Sequence, residues 1–79
     1  MSTAADHYLW HHASLSPRET QVLSLVTLGL SNEQIAAELL LSMNSIKSYI
    51  RNAYRKIGAT NRHQAVAWCV RHGFPVSDA

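Results

Sequence analysis

Ser31-Asn32-Glu33-Gln34-Ile35-Ala36-Ala37-Glu38-Leu39-Leu40-Leu41-Ser42-Met43-Asn44-Ser45-Ile46-Lys47-Ser48-Tyr49-Ile50-Arg51-Asn52-Ala53-Tyr54-Arg55-Lys56-Ile57-Gly58 holds two helix starts and a helix stop. Ser31 followed three residues later by Gln34 is a capping box, in which each side chain accepts from the other residue's backbone N–H. A short helix follows, with Ile35, Ala36 and Leu39 facing inward. Leu40 and Leu41 form a tight turn. Ser42 then caps a second helix, Met43 to about Ile57, closed by Gly58. Two helices about three residues apart have the spacing of a helix-turn-helix, whose members cross steeply. Counted from Asn32, apolar residues take the fourth, eighth, tenth and fifteenth places, and the small Ala36 takes the fifth, where the helices come closest. The glycine common in such turns is absent; Leu40 stands there.

Two more helices flank this pair. Upstream, Ser16-Pro17-Arg18-Glu19 puts serine at the N-cap, proline at the first helical position and glutamate at the third. Val22, Leu23, Leu25 and Val26 give that helix an apolar face, and Gly29 ends it. Glu19 is read as a cap first, and as a paired buried carboxylate second. Downstream, Asn61 caps a helix running from Arg62 to His72 ahead of Gly73 and Pro75. No run of alternating β-branched residues marks a strand. The expected fold is all-α, a four-helix bundle containing a helix-turn-helix over residues 15–74. Residues 1–14 read as a leader or linker and 75–79 as a tail. His7 and His11 in the leader lie four apart, but no carboxylate or thiol joins them, so a solvated segment is the expectation rather than a metal site.

Composition excludes several classes. The chain has 79 residues and is 47% hydrophobic, enough for one packed domain. Its longest apolar run, Ala65 to Val70, is far short of the roughly 20 residues a membrane-spanning helix needs. The N-terminus lacks the basic and apolar regions of a signal peptide, so a cytoplasmic location is expected. The one cysteine, Cys69, permits neither an intrachain disulfide nor a cysteine zinc site. Packing alone then holds the core, and chains this small often reach only about 3–5 kcal/mol and associate. No glycine-rich phosphate loop is present, and no nucleophile, base and orienting acid converge, so neither an enzyme, a cofactor nor a small-molecule ligand is expected.

Charge distribution points to the partner. The net charge is +2, but all five acids (Asp6, Glu19, Glu33, Glu38, Asp78) lie before Leu39 or at the C-terminus. Six basic residues and no acid lie between Leu39 and Ser77. At 100° per residue, Ile46, Ile50, Ala53 and Ile57 share one stripe of the Met43–Ile57 helix. Asn44, Lys47, Ser48, Arg51 and Arg55 share the opposite one. An ordinary solvated face mixes signs, with Glu and Lys four apart; this one has no acid. Such a ladder suits the DNA major groove, where Arg or Lys donates to guanine O6 and N7 and Asn pairs with adenine. Phosphate-positioning groups are expected around it. Ser42 and Ser45 sit at its N-terminus, and Ser31 and Asn32 at that of the preceding helix, where free N–H groups favour anions. Tyr49, Arg55, Lys56 and Arg62 complete the rim.

The string resembles the LuxR/GerE-type DNA-binding domain. The resemblance rests on Leu15-Ser16-Pro17-Arg18-Glu19, Val22-Leu23, Gly29 to Ala36, Ser42, Ser45 to Ile50, Tyr54 to Gly58, Asn61-Arg62 and Ala65-Val66. It covers about residues 15–74. It implies a bacterial transcriptional regulator whose third helix, about 43–57, enters the major groove of double-stranded DNA. By position, Lys47, Ser48 and Arg51, with Asn44 beside them, match base-contacting places, and Lys56 and Arg62 match the phosphate rim. The family usually forms a homodimer through its last helix on inverted half-sites, where Ala67, Val70 and Arg71 face away from Ala65, Val66 and Cys69. Many members have histidine in place of Tyr49 and a second glutamate in place of Gln21; losing that acid is expected to loosen a salt bridge. Members normally carry a receiver or ligand-sensing domain, as in response regulators, so this sequence is expected to be part of such a protein or a small stand-alone regulator. The competing expectation is a protein-docking module of the same fold, acting on RNA polymerase, a sigma factor or another regulator.

Overall fold

A computed structural model describes residues 14–76. The leader's histidine pair therefore lies outside the described residues, as does most of the leader. Among the described residues four helices follow in order: α1 (Pro17–Thr27), α2 (Asn32–Leu39), α3 (Met43–Ile57) and α4 (Arg62–Arg71). No strand occurs among the described residues. The fold is all-α, with α2 and α3 joined by a turn of Leu40, Leu41 and the cap Ser42.

Each helix starts where its cap residue dictates. Ser16 Oγ accepts from Glu19 N at 3.0 Å while Ser16 N donates to Glu19 Oε1 at 2.9 Å. Ser31 and Gln34 repeat this exchange at 3.2 and 2.8 Å. Ser42 accepts from Ser45 N at 3.1 Å, and Asn61 Oδ1 from Gln64 N at 2.9 Å. A cap of this kind stabilises by about 1 kcal/mol.

All four helices also stop by one device. A residue with left-handed backbone turns the chain, and the next N–H bonds back to a carbonyl five residues earlier. The bonds are Leu30 N to Leu25 O, Leu41 N to Ala36 O, Ala59 N to Tyr54 O and Phe74 N to Cys69 O, at 2.9 to 3.1 Å. The turning residues are Gly29, Leu40, Gly58 and Gly73. The chain's three glycines all serve here. Leu40, at φ 56° and ψ 44°, adopts the same conformation with a side chain, which crowds its Cβ against the backbone.

The core lies on two sides of α1. Leu23 joins Leu15, Ala53, Cys69 and Phe74 in one cluster, with Tyr54, Ile57 and Trp68 packed against it. Val22 and Val26 join Ile35, Ala36 and Ile46 in the other, which takes in Leu25, Leu39, Leu41, Ile50 and Val66 at its margin. The apolar faces of α1 and α3 are those expected from periodicity, with Ile50 and Ile57 half-buried. Leu15 and Phe74, outside any helix, are buried as well. Thus α3 is clamped at Ile46 by one cluster and at Ala53 by the other, which fixes its outward face.

Candidate nucleic-acid interface

Asn44, Ser48, Arg51 and Arg55 fall within about 60° of one another around α3, and all four are exposed. Lys47, also exposed, lies about 40° beyond this group on the side of α2. Ser45 and Tyr49 lie on the other side and are half-buried. Among the described residues, Lys47, Arg51 and Arg55 make no hydrogen bond or ion pair. The first turn of α3 contains no acid, and its last turn holds Arg55 and Lys56. Its N-terminal amides thus keep their positive potential, while the two cations oppose the partial negative charge of its C-terminus.

Two shallow depressions flank the line. One, of about 610 Å³, brings Ser31, Asn32, Lys47 and Arg62 together, with Gly29, Glu33, Gln34 and Met43 around them. The other, of about 300 Å³, is lined by Asn44, Ser45, Ser48 and Tyr49. At its edge, the Ser42 hydroxyl donates to Ser45 Oγ at 3.1 Å. Met43 and the acid Glu33 were not among the residues expected at the site. Met43 sits at helical spacing from Lys47, and Glu33 in the first turn of α2 beside Asn32, so both were accessible to the same periodicity argument.

Two of the expected rim cations are held by the protein itself. Lys56 Nζ lies 2.7 Å from Glu19 Oε1. Glu19 is only 5% exposed, so it is a cap and a buried paired carboxylate at once. Burial raises its pKa, but the Lys56 hydrogen bond, the Ser16 backbone bond and the lysine charge outweigh that and hold it below its ordinary value. Arg62 donates from its guanidinium to the carbonyls of Leu30 and Val26, at the C-terminal end of α1, where a cation is favoured. These bonds pin α3 and α4 to α1. Gln21 Oε1 accepts from the Arg18 guanidinium at 3.0 Å.

On α4, Val70 is 50% exposed and Arg71 is also exposed, while Ala67 is half-buried. Ala67 and Arg71 border a third depression, of about 240 Å³, with Ile57, Gly58 and Trp68. Trp68 stacks on His72 with ring centroids 3.8 Å apart and meets Phe74 edge-on at 5.9 Å. Cys69 is fully buried, and burial pushes its thiol pKa up, so it behaves as a small core residue. No metal-binding group of three or more ligating side chains occurs among the described residues.

The sequence matches the family model for bacterial regulatory proteins of the luxR family, GerE, over residues 13–69. The chain belongs to the luxR family. That span contains Asn44, Lys47, Ser48 and Arg51 and the whole of α1, α2 and α3. A luxR-family domain is a helix-turn-helix DNA-binding domain of transcriptional regulators, and its work is recognition rather than turnover. No helix among the described residues is long and apolar enough to cross a membrane.

Proposed function

We propose that this luxR-family domain binds double-stranded DNA in a sequence-specific way as a bacterial transcriptional regulator, with α3 in the major groove. The observation that carries the reading is the line of exposed donors on α3, unbroken by any acid and backed by the buried Ile46 and Ala53. Asn44, Lys47, Ser48 and Arg51 contact base edges. Ser31, Asn32, Ser42, Ser45, Tyr49, Arg55, Lys56 and Arg62 contact phosphates, the last two with the donors left over from their internal bonds. Grouping Ser31, Asn32 and Arg62 around one depression supports a phosphate there. The domain acts as a homodimer on inverted half-sites through Ala67, Val70 and Arg71 of α4, in the cytoplasm at the nucleoid, as the output module of a response regulator or a related sensor. It needs no cofactor or small-molecule ligand.

The test is fluorescence anisotropy on a randomised duplex pool, titrated with salt, followed by sequencing of the bound fraction. Affinity falling steeply with salt, with an inverted repeat enriched, is expected. A protein-docking role on RNA polymerase, a sigma factor or another regulator is the second reading. It is favoured by Leu40, which is 90% exposed in the turn beside α3. Absence of salt-dependent association with DNA at low ionic strength would decide for it.

A further inference from the structure

The outward line of α3 changes chemistry along its length. Its N-terminal part, Asn44 and Ser48, is neutral and borders the depression of about 300 Å³, whose lining holds no cation. Its C-terminal part, Arg51 and Arg55, is cationic. The Asn44 amide offers a donor and an acceptor side by side, the complement of adenine N7 and its N6 amino group. The Arg51 guanidinium offers donors only. It satisfies guanine O6 and N7, both acceptors, and it opposes the adenine amino group donor to donor. The two halves of the line therefore call for different bases.

Their separation sets the register. Asn44 and Arg51 are seven residues apart on one line, about 10 Å at 1.5 Å per residue. Base pairs stack at about 3.4 Å, so this distance spans about three base-pair steps. Arg55, about 16 Å from Asn44 along the axis, is carried away from the base edges as a straight helix leaves a curved groove. Lys47, off the line, faces the depression it shares with Ser31 and Arg62.

Resting on the DNA-binding reading above, we infer that each half-site pairs an adenine held by Asn44 with a guanine held by Arg51 about three base pairs away. Ser48 lies over the intervening pairs, where its hydroxyl accepts from or donates to any base. The uncharged depression beside Asn44 gives room for the C5-methyl group of the thymine at the adenine end.

The experiment selects from a randomised duplex pool with the full chain in four forms: wild type, Asn44→Ala, Arg51→Ala and the conservative Asn44→Gln. Asn44 and Arg51 are exposed, and a retained far-UV helical signal confirms folding of each variant. Wild type should enrich adenine and guanine about three steps apart. Asn44→Ala should lose adenine discrimination by about 5- to 100-fold while keeping guanine, and Arg51→Ala should do the reverse. Asn44→Gln should keep adenine, because glutamine makes the same paired contact. Enriched sites without this pair, or a variant that flattens the other residue's position or both together, overturn the inference. Salt-dependent binding by wild type with no base preference overturns it while leaving DNA association standing. No binding by wild type at low salt overturns the DNA reading itself.

Discussion

Lys56 and Arg62 face the body of the domain, whereas Lys47, Arg51 and Arg55 face away from it. The first pair is bonded to Glu19 and to two carbonyls around the end of α1. The second set makes no bond among the described residues. Five cations within sixteen positions thus divide into those that hold α3 and α4 in place and those that α3 presents. The division is made by what α1 brings up: a buried carboxylate near the last turn of α3, carbonyl oxygens near the first turn of α4, and only apolar side chains such as Leu23 against the middle of α3. Cations of the first kind should govern stability, and those of the second should govern binding.

That contrast breaks most readily at Arg62. Arg62→Ala leaves the Leu30 carbonyl without its charged donor and should cost about 2–3 kcal/mol, roughly 10–20 °C in Tm for a domain this small. Circular-dichroism melting measures it, and an unchanged Tm would place Arg62 with the free cations. Arg51→Ala should do the opposite. Its Tm stays within the change expected from about 0.5 kcal/mol, while DNA binding weakens by about 1–3 kcal/mol, read by anisotropy. A drop in Tm as large as that of Arg62→Ala would erase the distinction.

The Lys56–Glu19 bond sharpens it through pH. The folded protein holds Glu19 below its ordinary pKa of 4.5, so the unfolded chain binds more protons in that region. Stability from this pair is therefore complete above pH 4.5 and is lost as pH falls through the lower folded value. Glu19→Gln should lower stability by about 1 kcal/mol at neutral pH and flatten the acid side of the Tm–pH profile. A profile as steep as wild type would assign the acid sensitivity elsewhere. The smallest effect is expected at Leu40, which bears no charge. Leu40→Gly should raise stability by about 0.5–1 kcal/mol by relieving its left-handed backbone. It should leave the salt dependence of DNA binding as it was, so a changed salt slope would mean that the corner, too, sets the charge presentation.

The sequence was legible wherever the cause is local. Among the described residues, Ser16, Ser31, Ser42 and Asn61 marked every helix start, because a cap acts over three residues. The stripe through Ile46 and Ala53 fixed which side of α3 is outward, although Lys47, read on one stripe with Asn44 and Arg51, lies about 40° from their line toward α2. The fate of Lys56 and Arg62 was not legible. Their partners lie 37 residues away at Glu19, and 36 and 32 away at Val26 and Leu30. No periodicity relates residues so far apart; only the packing of α1 against α3 and α4 does. For the same reason Glu19 read as a cap or as a buried ion-pair partner, when its two carboxylate functions coexist. Leu15 and Phe74 carry no helical period of their own, yet both close one of the two core clusters.

The four matching corners form an internal clock for local opening. Leu30, Leu41, Ala59 and Phe74 each contribute one amide hydrogen to the same type of bond across a left-handed residue. In three corners that residue is glycine and stores no backbone strain; in the fourth it is Leu40. Local opening starts where the closed state has least to lose. The Leu41 amide should therefore exchange its hydrogen with solvent before the other three. The corner between α2 and α3 is then the first of the four to open, while the two core clusters around α1, one of which joins Ile35 and Ala36 of α2 to Ile46 of α3, stay shut.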